Sequence, residues 1–129
     1  MPAWTEQELT TIGQAEELRI SSHRPDGTLR PSVVIWVVRI GDNLCVRSAY
    51  GAKNPWYARA RKSGSGRITS GEIERDVRFE DATDSPDAID QAYHAKYDRH
   101  GPRIVGTVVG EKVAALTIRL VPTERQGTA

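Results

Sequence analysis

The chain has 129 residues, with 18 Lys and Arg against 17 Asp and Glu and a formal charge of +1 at pH 7. That length suits one compact domain and not two ordinary ones, and the charge balance argues against the uniform basicity of many nucleic-acid binders, so any electropositive site must be local. One cysteine, Cys45, cannot build an internal disulfide framework, and no apolar run approaches the roughly 20 residues that cross a bilayer, so neither nucleic acid nor membrane is an expected partner and the cytoplasm is the expected location.

In chain order, Thr5-Glu-Gln-Glu8 has the capping-box pattern, with Trp4 and Leu9 placed as its hydrophobic staple, and Gly13 is a natural stop for the short helix that follows. Leu18-Arg-Ile-Ser-Ser22 alternates as a half-buried strand, and His23-Arg-Pro-Asp-Gly-Thr28 carries turn residues in hairpin order. Pro31 to Ile40, nearly continuous in β-branched and aromatic residues, predicts a central strand covered on both faces for much of its length. Gly41-Asp-Asn43 then turns the chain into a strand from Leu44 to Ser48, in which Cys45 reads as a small buried residue.

The segment from Arg47 to Lys62 concentrates the chemistry. It predicts a strand end, a glycine turn at Tyr50-Gly51, and a helix capped by Asn54 with Pro55 at its first position. Helix-start amides and the macrodipole favour an anion there, with Lys53, Arg59, Arg61 and Lys62 nearby. A solvated cationic face explains the same charges equally well. Arg47, at the strand end, is the first choice of anion contact; Arg30, at the start of the central strand, is the second. Trp56 and Tyr57 offer flat apolar faces, one packing inward and the other free to face a pocket, while Trp36 reads as core before it reads as a cofactor wall. Tyr50 can present its hydroxyl as a donor or weak acid.

Downstream, Ser63-Gly-Ser-Gly66 ends the helix, and Arg67 to Thr69 joins through Ser70-Gly71 to an alternating strand, Glu72 to Phe79, in which Arg75 interrupts the inward set. Ser85-Pro86 starts a helix with Ile89, Ala92, Tyr93, Lys96 and Tyr97 on one stripe, ended by His100-Gly-Pro102. Ala114 to Pro122 forms the last strand, and residues 123–129 a flexible polar tail. His23, His94 and His100 lack metal-site spacing, and no nucleophile elbow, dinucleotide fingerprint or phosphate-loop motif is present. Tight turns between six strands, with about three short helices, predict a mainly β, α+β domain over residues 1–129 built on an antiparallel barrel.

The order of these pieces resembles the split-barrel flavin-binding proteins, the group that includes pyridoxamine-phosphate oxidase-like and deazaflavin-dependent nitroreductase-like families. Asp26-Gly-Thr-Leu-Arg30, Ile35-Trp-Val-Val38, Trp56-Tyr57, Glu74-Arg-Asp-Val77 and Tyr93-His-Ala-Lys-Tyr97 look like a bacterial family catalogued as a domain of unknown function. The resemblance implies that the barrel is a split barrel, and that the chain forms a homodimer that binds FMN or a deazaflavin and performs a redox step. It implies phosphate contacts at Arg24 and Arg30, loop contacts at Ser48, Ala49, Tyr50 and Gly51, and a helix start at Pro55, Trp56 and Tyr57. His23-Arg-Pro-Asp-Gly27 stands where those relatives carry a more basic turn, and Lys62-Ser-Gly-Ser-Gly66 replaces their Asn-Pro. Two other readings stay open: a cofactor-independent enzyme that uses Tyr50, Arg47 or His23 on a small metabolite, and a non-catalytic binding or dimerisation module.

Overall fold

The computed structural model describes residues 3–49 and 51–123. Helix α1 (Glu6–Gln14) leads into β1 (Leu18–Ser22), β2 (Val33–Ile35), β3 (Val38–Ile40) and β4 (Asn43–Arg47). Helix α2 (Pro55–Ser63), β5 (Ser65–Ser70), β6 (Ile73–Asp81), α3 (Pro86–Tyr97), α4 (Pro102–Val105), α5 (Glu111–Ala114) and β7 (Thr117–Pro122) complete the order. Seven strands form one sheet in the order β2-β1-β5-β6-β7-β4-β3, every pairing antiparallel. Strands β2 and β3 are neighbours in sequence yet lie at opposite edges, so the bend between them joins the edges of a sheet curled into a half-barrel.

That bend corrects two expectations. The run from Pro31 to Ile40 is not one central strand but two edge strands broken at Trp36 and Val37, which makes the strand count seven. Side chains from α3 take the place of a ladder at the break. The Val37 N–H donates to the Tyr97 hydroxyl at 3.2 Å, and the Val37 carbonyl accepts from Lys96 Nζ at 2.7 Å. The Tyr97 hydroxyl also donates to the Glu16 carbonyl at 2.8 Å. Nor is β2 covered on both faces: Val33 and Val34 stand 37% and 42% exposed. Among the described residues the α-helices number five rather than three, because α4 and α5 are four-residue turns in the Val- and Gly-rich stretch, too short to show a helical period.

The curl encloses Leu9, Ile12, Leu18, Ile20, Val46, Ile68 and Leu120, with α1 and α2 contributing from outside the ladder. Alternation along β4 sends Leu44 and Val46 into this cluster and Cys45 to a second one under α3, with Ile89, Tyr93 and Tyr97. The expected capping box of α1 is present: Thr5 Oγ1 accepts from the Glu8 N–H at 3.1 Å and Glu8 returns a bond to the Thr5 N–H at 2.9 Å. Arg75 does face inward, and Glu8 is the reason. Its carboxylate takes two bonds from Arg75 Nη1, at 2.9 and 2.7 Å, in a buried pair that ties α1 to β6. Close approach of β5 to β1 demands Gly66, since a Cβ there would lie 1.9 Å from the Ser21 carbonyl oxygen. No helix among the described residues is long and apolar enough to cross a membrane.

Candidate functional site

A cleft of about 540 Å³ opens between the first hairpin turn and the C-terminal half of α2. Its walls carry His23, Arg24, Arg30, Arg59, Lys62 and Ser65, and among the described residues no carboxylate lines it. Several arginines elsewhere are matched with acids: Arg39 with Glu6, Arg61 with Asp81, Arg67 with Asp76 and Arg75 with Glu8. The four cleft cations form no ion pair among the described residues. Arg30 Nε is buried without a hydrogen-bond partner, as are Arg75 Nε and Arg119 Nε. Asp26, between Pro25 and Gly27 of this wall, keeps a negative charge close to Arg24. Its carboxylate accepts from the Thr28 hydroxyl at 2.6 Å and the Thr28 N–H at 2.9 Å, and those two bonds hold it below the usual carboxylate range.

A second concavity, about 300 Å³, lies along β2 and is lined by Val33, Val34, Trp36, Ala49, Trp56 and Ile104 among others. Trp36 is fixed from behind by Tyr97, the two rings stacked with centroids 4.0 Å apart and planes 3° from parallel. A third, much smaller hollow lies against residues of both. Arg30 and Arg59 line both it and the basic cleft, while Val33 and Trp56 line both it and the apolar hollow. The two hollows thus adjoin as one grooved surface, cationic at one end and aromatic at the other.

The expected site residues divide across this groove. His23, Arg24 and Arg30 stand at its cationic end, and Trp36, Ala49 and Trp56 at its apolar end. Trp56 and Tyr57 both pack into the core, edge-to-face at 5.9 Å, and of the two Trp56 also borders the apolar hollow. Lys53 is exposed and lines neither hollow. Ser48 is buried and donates its hydroxyl to the Gly51 carbonyl at 2.6 Å, while Gly51, with φ of 101°, borders a separate hollow beside Gly106 and Gly110. Tyr50 lies outside the described residues.

Arg47 requires the largest correction. Its side chain is wholly buried; Nε donates to Thr117 Oγ1 at 2.8 Å, and the guanidinium also reaches the carbonyls of Val108 at 2.9 Å and Pro86 at 3.3 Å. With Asp90 as its ionic partner, it clamps α3 and the loop after α4 onto β4 and borders the apolar hollow, not the cationic end. The start of α2 also differs from the expected anion site. Asn54 makes no side-chain cap and instead donates to the Ala49 carbonyl at 3.1 Å, and the helix cations in the groove, Arg59 and Lys62, lie toward the other end. Their i, i+3 spacing is the sequence signal that places them on one face, whereas Arg61 turns away to Asp81. Ser63 and Ser65, which also border the cleft, carried no comparable signal.

A family model described as "Uncharacterized protein conserved in bacteria (DUF2255)" matches residues 8–120. No curated protein matches the chain. Among solved structures the chain is similar to HutZ, the heme storage protein from Vibrio cholerae, at 13% identity and a TM-score of 0.63, over 97% of this chain and 93% of that one. It is similar to a candidate pyridoxamine 5'-phosphate oxidase from Listeria innocua at 16% identity and a TM-score of 0.60, over 92% and 93%. An F420 reductase matches at 17% identity and a TM-score of 0.53, over 94% and 97%. At these identities the likenesses show the fold alone, the split barrel.

Proposed function

The chain belongs to this bacterial family of uncharacterised proteins, and on that premise we propose that it binds a phosphorylated ring system, a flavin or deazaflavin, in the β2–α2 groove and performs a redox step with it. The observation that carries the reading is the groove's polarity: cations without an ion pair among the described residues at one end, Trp36 and Trp56 at the other, adjoining through Arg30, Arg59, Val33 and Trp56. A buried guanidinium nitrogen without an acceptor, Arg30 Nε, fits an anionic guest. The neighbouring structures named for pyridoxamine-phosphate oxidase and F420 chemistry lend support, and the heme storage protein marks the fold's tolerance for other flat rings.

When bound, such a group supplies the hydride chemistry. The chain's own contribution is positional. Arg24, Arg30, Arg59 and Lys62 would hold the phosphate, Trp36 and Trp56 would flank the ring, and Val33, Val34 and Ile104 would keep water from it. Those three are the large apolar side chains left exposed among the described residues, which supports a homodimer whose second copy covers the apolar end. Absorbance of freshly purified protein, followed by titration with FMN and with a deazaflavin phosphate, tests the proposal. Binding at micromolar levels that weakens in Arg30→Ala is expected; no binding of either ring would reject it.

A further inference from the structure

We propose that Ser65 and His23 form a nucleophile–base pair that hydrolyses carboxylic esters bearing an anionic group. His23 Nδ1 lies 2.9 Å from Ser65 Oγ, inside the distance at which an imidazole activates a serine. Ser65 Oγ has no other partner among the described residues. The neighbouring Ser63 hydroxyl does not compete, since it donates to the Ser65 carbonyl at 2.6 Å and accepts from the Ser65 N–H at 3.1 Å.

Strand geometry presets the pair. The His23 N–H donates to the Ser65 carbonyl at 3.0 Å, and the next rung of the β1–β5 ladder pairs Ser22 with Gly66. Both side chains therefore rise from adjacent strand ends on a rigid base, half-buried and facing the 540 Å³ cleft. Around them stand Arg24, Arg30, Arg59 and Lys62, none of them ion-paired among the described residues, donors suited both to a substrate carboxylate or phosphate and to an oxyanion.

In the first half-reaction Nδ1 takes the Ser65 hydroxyl proton as Oγ bonds to the ester carbonyl carbon. The proton then passes from Nδ1 to the departing alkoxide as the ester C–O bond breaks, and the alcohol leaves. Water repeats the sequence: Nδ1 takes its proton, the hydroxide oxygen adds to the acyl carbon, and the proton returns to Ser65 Oγ as the carboxylic acid is released. No oxidant or reductant enters. The step uses neutral His23 with its ring proton on Nε2, which leaves Nδ1 free to accept.

The test treats the full chain with a fluorophosphonate and maps the adduct by peptide mass spectrometry. An adduct at Ser65 is expected, absent in Ser65→Ala and formed about 100-fold more slowly in His23→Gln. Hydrolysis of mono-4-nitrophenyl succinate is expected to exceed that of neutral 4-nitrophenyl acetate in kcat/KM by about tenfold, with the preference reduced in Arg59→Ala through a raised KM. An unlabelled Ser65 in the wild-type protein overturns the proposal, as does undiminished ester hydrolysis by a natively folded Ser65→Ala. The adduct reports a covalent bond at one residue, so its absence leaves the ring-binding reading intact, and a failed flavin titration leaves this one intact.

Discussion

Trp36 and Tyr97 stack face to face, centroids 4.0 Å apart and planes 3° from parallel, and the same tyrosine satisfies the backbone at the bend that splits β2 from β3. One side chain thus fixes both the edge of the half-barrel and the aromatic wall of the groove. Phe in its place keeps the stack and removes the hydroxyl that receives the buried Val37 N–H. Tyr97→Phe is expected to lower stability by about 1–3 kcal/mol, the range for a buried donor left without an acceptor. Urea denaturation gives the size of the loss. A change below 0.5 kcal/mol would show that water or another group replaces the hydroxyl.

Glu8 links the capping box of α1 to Arg75 on β6. Burial pushes its carboxyl up, but the Thr5 N–H and the Arg75 guanidinium outweigh that and hold it below the ordinary value of 4.5. A carboxylate depressed in the folded state adds stability that is fully present above its unfolded value and is lost as pH falls through the folded one. The stability difference between wild type and Glu8→Gln should therefore stay constant from neutral pH down to about 4.5 and shrink below it. Thermal unfolding across pH 3 to 7 checks this, and a difference that grows on acidification would contradict the pairing.

Cys45 is buried between β4 and α3, and burial pushes its thiol up to about 12. A thiol in that state carries almost no thiolate at pH 8 and has no route to a reagent. Iodoacetamide should leave the native protein unmodified and alkylate one site after denaturation. Rapid native alkylation would mean that α3 lifts from the sheet.

Local signals were legible wherever a short stretch of chain settles its own conformation. The capping box at Thr5 and Glu8, Pro86 behind Ser85, and the alternation from Leu18 to Ser22 all appear where the sequence places them. Arg75 is the instructive intermediate: its interruption of an inward set was visible on β6, but the partner that makes burial tolerable lies 67 residues away. The break at Val37 was hidden for the same reason, since Lys96 and Tyr97 act on it from 59 and 60 residues away. At the site, the basic first turn and the Trp-Tyr pair were readable, whereas the fate of Arg47 depended on Asp90, Val108 and Thr117 arriving from three later segments. A cation in sequence does not disclose whether an acid will meet it.

That distinction gives a direct comparison between two arginines. Arg59 faces the cleft with no ion pair among the described residues, and its removal should weaken binding of inorganic phosphate or a phosphorylated ring about tenfold, one charge-assisted bond's worth, with little loss of stability. Arg47 is engaged with Asp90 and with carbonyls of two segments, and Arg47→Ala leaves those groups unpaired. A cost of about 2–3 kcal/mol is expected, under the ~3–5 of a fully buried pair because Asp90 keeps a quarter of its exposure. Calorimetric titration with phosphate, set beside denaturant midpoints for both variants, separates the two roles. Weakened binding without destabilisation in Arg47→Ala would return the anion site to the strand end and remove the groove assignment altogether.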